Sequence, residues 1–164
     1  MNTSVETTKR CLHLVDIENL MDGPLYNSAQ SINNVLASFL EASKWRLGDL
    51  LVIAANPELM KIFAFNLSEF PVRLLCGWGS DRADKLLLSA IPKNLDASFS
   101  RIVVGSGDHI FASLFRDLHL DKTVVYGPDM SLSWELYANA DHVIQLDAQN
   151  FYPLPSEFRV GKSN

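Results

Sequence analysis

The chain has 164 residues, of which 48% are hydrophobic and 20% are charged, and its formal net charge is −5 at pH 7. This length suits one domain with a single core, and the composition excludes an intrinsically disordered chain. The negative charge argues against broad electrostatic binding to nucleic acid, unless carboxylates gathered in one site hold divalent cations.

The ends of the chain and its cysteines bear on where the protein resides. Residues 1–10 are polar, without the apolar segment of a secretory signal, and we expect a flexible N-terminus. No apolar run approaches the roughly 18–20 residues of a membrane-spanning helix, so no membrane partner is expected. Cys11 and Cys76 lie in or beside apolar runs. We expect two buried, reduced thiols in a cytoplasmic protein.

Strand and helix patterns alternate along residues 11–147, and residues 148–164 form an irregular C-terminal extension. Apolar runs predict six strands, at Cys11–Asp16, Leu50–Ala55, Pro71–Cys76, Arg101–Gly105, Thr123–Tyr126 and His142–Leu146. Apolar residues at helical spacing predict helices at Ser28–Ser43, Glu58–Asn66, Asp81–Ile91, His109–Leu118 and from Ser131 or Ser133 to Tyr137.

This alternation predicts a doubly wound α/β domain with one mostly parallel sheet and helices on both faces. The natural strand order is about 3-2-1-4-5, with the last strand at an edge, so strands one and four are neighbours. Ligands in such sheets bind outside the carboxyl ends of the strands, where the order reverses. Asp16, which ends strand one, and Asp108, which follows strand four, are therefore expected to lie together there.

A third acid follows strand three, where Asp81 and Asp84 stand near the start of a helix. Hard oxygen ligands of this kind select Mg²⁺ or Mn²⁺, which polarise a phosphoryl group and generate a hydroxide nucleophile. Other interpretations stay open: Asp108 as a helix cap, Asp84 as a solvated surface acid, and Asp81 as an ordinary acid of a helix N-terminus.

Four segments, in order over about residues 11–147, resemble the motifs of the NYN domain, a branch of the PIN-like nuclease superfamily. They are Val15-Asp16-Ile17-Glu18-Asn19-Leu20, Gly79-Ser80-Asp81-Arg82-Ala83-Asp84, Gly105-Ser106-Gly107-Asp108 followed by Phe111, and Ala140-Asp141-His142-Val143-Ile144-Gln145-Leu146. The resemblance implies an endoribonuclease that depends on Mg²⁺ or Mn²⁺. It makes Asp16, Asp84 and Asp108 metal ligands and Asn19 an orienting amide, with Asp81 as a supporting or alternative ligand.

Residues around these motifs are candidates for contacts with RNA. Arg82 and Lys85 could hold substrate phosphates, Trp78 could stack on a base, and Ser106 is assigned to substrate binding. A solvated helix face for the two cations and a packing role for the tryptophan stay open. PIN-like domains commonly pair, and by this analogy the aromatic residues at 151–152 could form a homodimer contact.

Two departures from the family pattern favour a second hypothesis. Ile110 stands where the family usually has a second Asp, and Ala90 stands where another acid is often found. A site with fewer carboxylates retains less cation charge, so the chain could instead be a weakened or inactive RNA-binding module. A third hypothesis is another Rossmann-like phosphohydrolase. Such enzymes carry an Asp-x-Asp motif at the end of the first strand, and this chain lacks it because position 18 is Glu.

Overall fold

A computed structural model describes residues 9–20, 29–61, 72–77, 82–127 and 130–146. These residues contain one six-stranded sheet in which every neighbouring pair of strands is parallel. The strands are β1 (Arg10–Asp16), β2 (Leu50–Ala55), β3 (Val72–Cys76), β4 (Phe99–Gly105), β5 (Asp121–Tyr126) and β6 (His142–Gln145). Their order, β3-β2-β1-β4-β5-β6, confirms the predicted doubly wound topology and puts β1 beside β4.

Helices flank this sheet and mostly agree with the sequence patterns. They are α1 (Ala29–Ala42), α2 (Arg82–Ser89), α3 (Leu95–Ser98), α4 (Ala112–Arg116) and α5 (Trp134–Asn139), and residues 57–61 are also helical. The short α3 was not predicted. The predicted single helix His109–Leu118 is instead a 3₁₀ turn, His109–Phe111, that continues into α4.

Two apolar clusters lie on the two faces of the sheet. On one face, α1 and the 57–61 turn pack on alternate residues of β1 such as Val15; on the other, α2, α4 and α5 cover Leu12 and Leu14. Side chains of a strand alternate between faces, so Asp16 continues the row of Leu12 and Leu14. The carboxylate therefore faces the side of the sheet on which α2 packs.

The edge strands explain one wrong prediction. Cys11 is buried in the central strand β1, as expected, but Cys76 is exposed at the end of β3. Because β3 is an edge strand, its burial is only partial, and the apolar run around Cys76 does not bury the thiol. No helix within the described ranges is both long and apolar enough to cross a membrane.

A buried His–Asp pair ties the start of β1 to the loop before β2. Asp49 Oδ1 accepts a hydrogen bond from the Cys11 amide at 3.0 Å, and Oδ2 accepts from the Arg46 amide at 3.1 Å. His13 Nε2 lies 3.0 Å from Oδ2. Burial by itself would raise the pKa of Asp49, but these hydrogen bonds lower it to about 2. Burial also lowers the pKa of His13, which is fully buried.

We expect Asp49→Asn to lower the free energy of unfolding by about 2–3 kcal/mol at pH 7, because charged acceptors make the stronger hydrogen bonds. The pKa of Asp49 is lower in the folded chain than its usual 3.8. Its contribution is therefore present above about pH 4 and is lost as the pH falls toward 2. Urea unfolding of wild type and variant should show a stability difference that shrinks over this range.

The exposed Asp117→Asn provides the matched control and should change stability by less than about 0.5 kcal/mol. A loss of the same small size in Asp49→Asn would contradict a structural role for the pair.

Candidate metal centre

Asp16 is the last residue of β1 and lies at the carboxyl edge of the sheet, beside Ala54 of β2. Its side chain belongs to the buried part of the molecule, since the residue is only 2% exposed. The 3₁₀ turn that follows brings Asn19 back toward it, and Asn19 Nδ2 donates a hydrogen bond to Asp16 Oδ2 at 2.8 Å. Asn19 thus fixes the orientation of the carboxylate.

Asp84 is brought to the same edge by α2. Ala83 and Leu87 pack into the core cluster that contains Leu12 and Leu14, and the intervening Asp84 is 2% exposed. Its burial rules out the solvated surface acid considered above. The pKa of Asp84 is raised to about 9. Burial is the largest cause, the hydrogen bond with Asp16 and the charge of Asp16 come next, and the same two interactions with Asp108 follow. Asp84 therefore interacts with both of the other predicted acids.

Asp108 lies three residues beyond β4 and has two roles. Its Oδ1 accepts from the Ile110 amide at 3.1 Å, so it caps the following 3₁₀ turn, as one of the open interpretations held. Its side chain is still 28% exposed, and His109 Nδ1 lies 3.1 Å from Oδ1. The cap and the contact with His109 both use Oδ1, and the side chain stays partly open to solvent.

Carboxylate oxygens that lack hydrogen-bond partners indicate whether a cation could fit among these acids. Asp16 Oδ1 and Asp84 Oδ1 are buried, with no hydrogen-bond partner in the described part of the chain. Buried carboxylate oxygens without donors are costly, and oxygens of this type are the preferred ligands of Mg²⁺ and Mn²⁺. Within the described ranges, no three His, Cys, Asp or Glu side chains already converge as a metal-ligand group. The carboxylate oxygens are therefore chemically suited to a hard cation, and the side chains would have to rearrange to enclose it.

Glu18 is a fourth acid, for which the sequence favoured neither solvent exposure nor a function. It is half-buried, and its Oε1 accepts from the Asn56 amide at 2.9 Å, which links the end of β1 to the end of β2. Burial raises the pKa of Glu18, and the charge of Asp16 raises it further. The signal was in the sequence, since Asn56 directly follows β2 and must lie at the same sheet edge.

Ser106 corrects one predicted role. It was expected to contact substrate, but it is fully buried, and its Oγ accepts from the Asp108 amide at 3.1 Å. It supports the loop that presents Asp108. The next residue, Gly107, has no room for a side chain, because a Cβ there would stand 2.2 Å from the backbone oxygen of Ser131.

An open cleft of about 320 Å³ lies beside Asp108. It is lined by Asn19, the loop that carries Asp108, and residues 130–133 before α5. The 130–133 segment was not predicted as part of the site. Its place is fixed by the tertiary contact between Gly107 and Ser131 and by the Ser133 amide, which donates to the Gly107 oxygen at 2.9 Å.

Of the other residues predicted to contact RNA or a second copy of the chain, only some lie within the described ranges. Lys85 is exposed on α2, as a residue that meets substrate or solvent must be. Arg82 begins α2, but its side chain is not described. Trp78 and Asp81 lie outside the described residues, as do residues 1–8 and 147–164, which include the expected dimer contact at 151–152.

A larger cavity, of about 690 Å³, lies at the amino ends of the strands and is lined by Lys9, Arg10, Arg46 and Asp49 among others. It does not touch the three acids of the opposite edge. Asp49, the carboxylate in its wall, already accepts hydrogen bonds through both oxygens. We therefore place the candidate metal centre at the smaller cleft.

No known family model and no curated protein sequence matches this chain. Among solved structures, it is similar to a protein of unknown function from Vibrio parahaemolyticus, with 17% sequence identity and a TM-score of 0.55. The match covers 93% of this chain and 99% of that chain.

That likeness shows the fold. At 17% identity it carries no statement about activity, so function has to be argued from Asp16, Asp84 and Asp108 themselves.

Proposed function

We propose that this protein is an endoribonuclease that hydrolyses RNA phosphodiesters with the help of Mg²⁺ or Mn²⁺. The observation that carries the proposal is the position of Asp84, which is buried and interacts with both Asp16 and Asp108, although the three acids belong to three separate junctions between strand and helix. Burial and the neighbouring Asp16 and Asp108 raise the pKa of Asp84, so this buried carboxylate needs a compensating partner, and clefts with such groups are candidate functional sites. The resemblance to NYN domains in four ordered motifs supports RNA as the substrate.

Each residue of the site has a proposed role that follows from its position. Asp16 and Asp84 supply the buried oxygens that would hold the ion, and Asp108 supplies the carboxylate nearest the open cleft. Asn19 holds Asp16 in orientation, and Ser106 holds the backbone of Asp108. A divalent cation bound there would neutralise the acids, polarise the phosphodiester and lower the pKa of the attacking water.

A second candidate is an RNA-binding module that does not cut. Ile110 and Ala90, which replace acids of the family pattern, are partly buried against the apolar core below α2 and α4. These positions therefore serve packing, and the site has fewer carboxylates than the family pattern supplies. Measurable RNA binding without any Mn²⁺ binding at millimolar concentration, in a calorimetric titration, would favour this module over the enzyme.

The proposal is tested by incubating the purified chain with a labelled single-stranded RNA in Mn²⁺, in Mg²⁺ and in EDTA. We expect cleavage with either ion and none in EDTA. A DNA strand of the same sequence and a small phosphodiester, bis-p-nitrophenyl phosphate, measure substrate preference. Hydrolysis of the small ester without cleavage of RNA would indicate a different phosphohydrolase. No hydrolysis of any substrate in either ion would rule out the enzyme.

A further inference from the structure

Two aromatic side chains of α5 stack on each other in solvent. Trp134 is 74% exposed and Tyr137 is 51% exposed, with ring centroids 5.6 Å apart and an interplanar angle of 25°. Within the described ranges, the other exposed large apolar side chain is Leu47, at the amino-end cavity. Exposed apolar surface concentrated in one place commonly marks a binding site.

The fold of α5 does not need these rings. The helix is anchored by Leu136, which is fully buried, and begins at Ser133, whose hydroxyl accepts from the Leu136 amide at 3.4 Å. Trp134 and Tyr137, three residues apart, lie on the opposite, outward side. Their contact with each other orders the two rings in advance, which lowers the entropy cost of binding a flat ligand.

The pair stands next to the candidate metal centre. Ser133 lines the cleft together with Asn19 and Asp108, and Trp134 is the next residue in the chain. The hydrogen bond from the Ser133 amide to the Gly107 oxygen, 2.9 Å long, fixes α5 to the loop that carries Asp108. A strand of RNA leaving the cleft on this side would meet the aromatic rings within its first nucleotides.

Charge favours a base over a phosphate as the group that these rings hold. The chain carries a net charge of −5, and the described residues that line the cleft include the carboxylate of Asp108 and no Lys or Arg, so phosphate attraction contributes little to affinity. Stacking on aromatic side chains needs no positive charge and is tolerant of sequence. Trp134 has one face covered by Tyr137 and most of its surface still open to a base.

We propose that Trp134 and Tyr137 form a stacking platform for an unpaired base of single-stranded RNA, next to the nucleotide that occupies the cleft. This inference rests on the proposed function, because it takes RNA as the ligand of the cleft. It adds a substrate-positioning pair that the sequence motifs do not contain.

The test measures the anisotropy of a fluorescein-labelled single-stranded RNA of ten nucleotides bound to the Asp16→Asn protein in Mn²⁺. Adding Trp134→Ala should weaken binding about tenfold to a hundredfold, the range for one lost stacked base. Trp134→Phe should retain most of the affinity, because a phenyl ring still stacks. Leu47→Ala removes an equally exposed apolar side chain and is expected to have no effect.

A second probe, the same RNA with its bases removed at every other nucleotide, separates stacking from a general loss of structure. Trp134→Ala should cost this probe much less affinity than it costs the intact RNA. An unchanged affinity for intact RNA in Trp134→Ala overturns the platform and leaves the nuclease intact. If the mutation changes only a dimer into a monomer by light scattering, the rings are a self-association surface. Failure of the wild type to cut or bind any RNA removes both proposals.

Discussion

Asp16→Asn is expected to reduce Mn²⁺-dependent RNA cleavage by about a hundredfold to a thousandfold, since electrostatic groups at a reacting centre contribute several kcal/mol to the barrier. Asp16 occupies the central place: it ends β1, receives the Asn19 amide, and interacts with Asp84. Asparagine keeps the size of the side chain and removes its charge. The initial rate of cleavage of a labelled RNA at saturating Mn²⁺ is the measurement.

Two companion variants make this result interpretable. Asn19→Ala removes the hydrogen bond that orients Asp16 and should cost about tenfold to a hundredfold, as supporting residues of metal sites usually do. Asp117→Asn neutralises an exposed acid at the end of α4 and should leave the rate unchanged. Full activity in Asp16→Asn, with a circular dichroism spectrum like that of wild type, would show that cleavage occurs elsewhere.

Asp84→Asn is expected to abolish activity and, in EDTA at pH 8, to raise the free energy of unfolding by at least about 1 kcal/mol. The reason is that burial first, and then the neighbouring acids Asp16 and Asp108, raise the pKa of Asp84 to about 9. A buried acid without a cation destabilises the fold, and the amide removes that cost. Such opposed effects on stability and function are typical of active sites.

The raised pKa of Asp84 determines how the free energy of unfolding changes with pH. The pKa of Asp84 is higher in the folded chain than its usual 3.8, so between these values the folded state binds a proton that the unfolded state has released. The free energy of unfolding therefore falls as the pH rises from about 4 toward 9, by up to about 1.4 kcal/mol per pH unit. Asp84→Asn should show a shallower fall in urea unfolding measured at pH 5, 6.5 and 8.

Added Mn²⁺ should reverse the order of stabilities. At a concentration of 100 times its dissociation constant, a ligand bound only by the folded state adds about 2.7 kcal/mol. Wild type should gain this at pH 8, and Asp84→Asn should gain little, because one of the buried ligand oxygens is lost. Equal stability curves for the two proteins in EDTA, together with equal shifts in Mn²⁺, would remove Asp84 from the site.

Much of the candidate site could be predicted from the sequence because its residues stand at element ends. Asp16 and Asp108 follow apolar runs that are unambiguous as strands, and a parallel sheet brings such ends to one edge. The prediction for Asp84 depended on helix phase, and the structure confirms that the residue faces inward, since it is 2% exposed. The sequence motif alone left a solvated acid open as an alternative.

Other features could not be read from sequence. The aromatic pair of α5 looks like ordinary amphipathic patterning until Leu136 is seen to supply the buried contact and Trp134 is seen to be in solvent. Ser106 sits in a motif that suggests substrate contact, but a hydroxyl at that position can equally turn inward, and it does. The exposure of Cys76 followed from the edge position of β3, which is a property of the sheet and not of the local run.

The sequence by itself determined the class of fold, the order of the elements and the identity of the three acids, because apolar periodicity and the rules of parallel sheets act locally along the chain. Only the tertiary structure decided which of those acids share a buried environment, that Glu18 bonds to Asn56 at the same edge, and that residues 130–133 wall the cleft. The physical reason is that burial and charge coupling depend on distances across the sheet edge, and these are set when α2 packs against β1 and β2 and α5 packs against the 3₁₀ turn that follows Asp108.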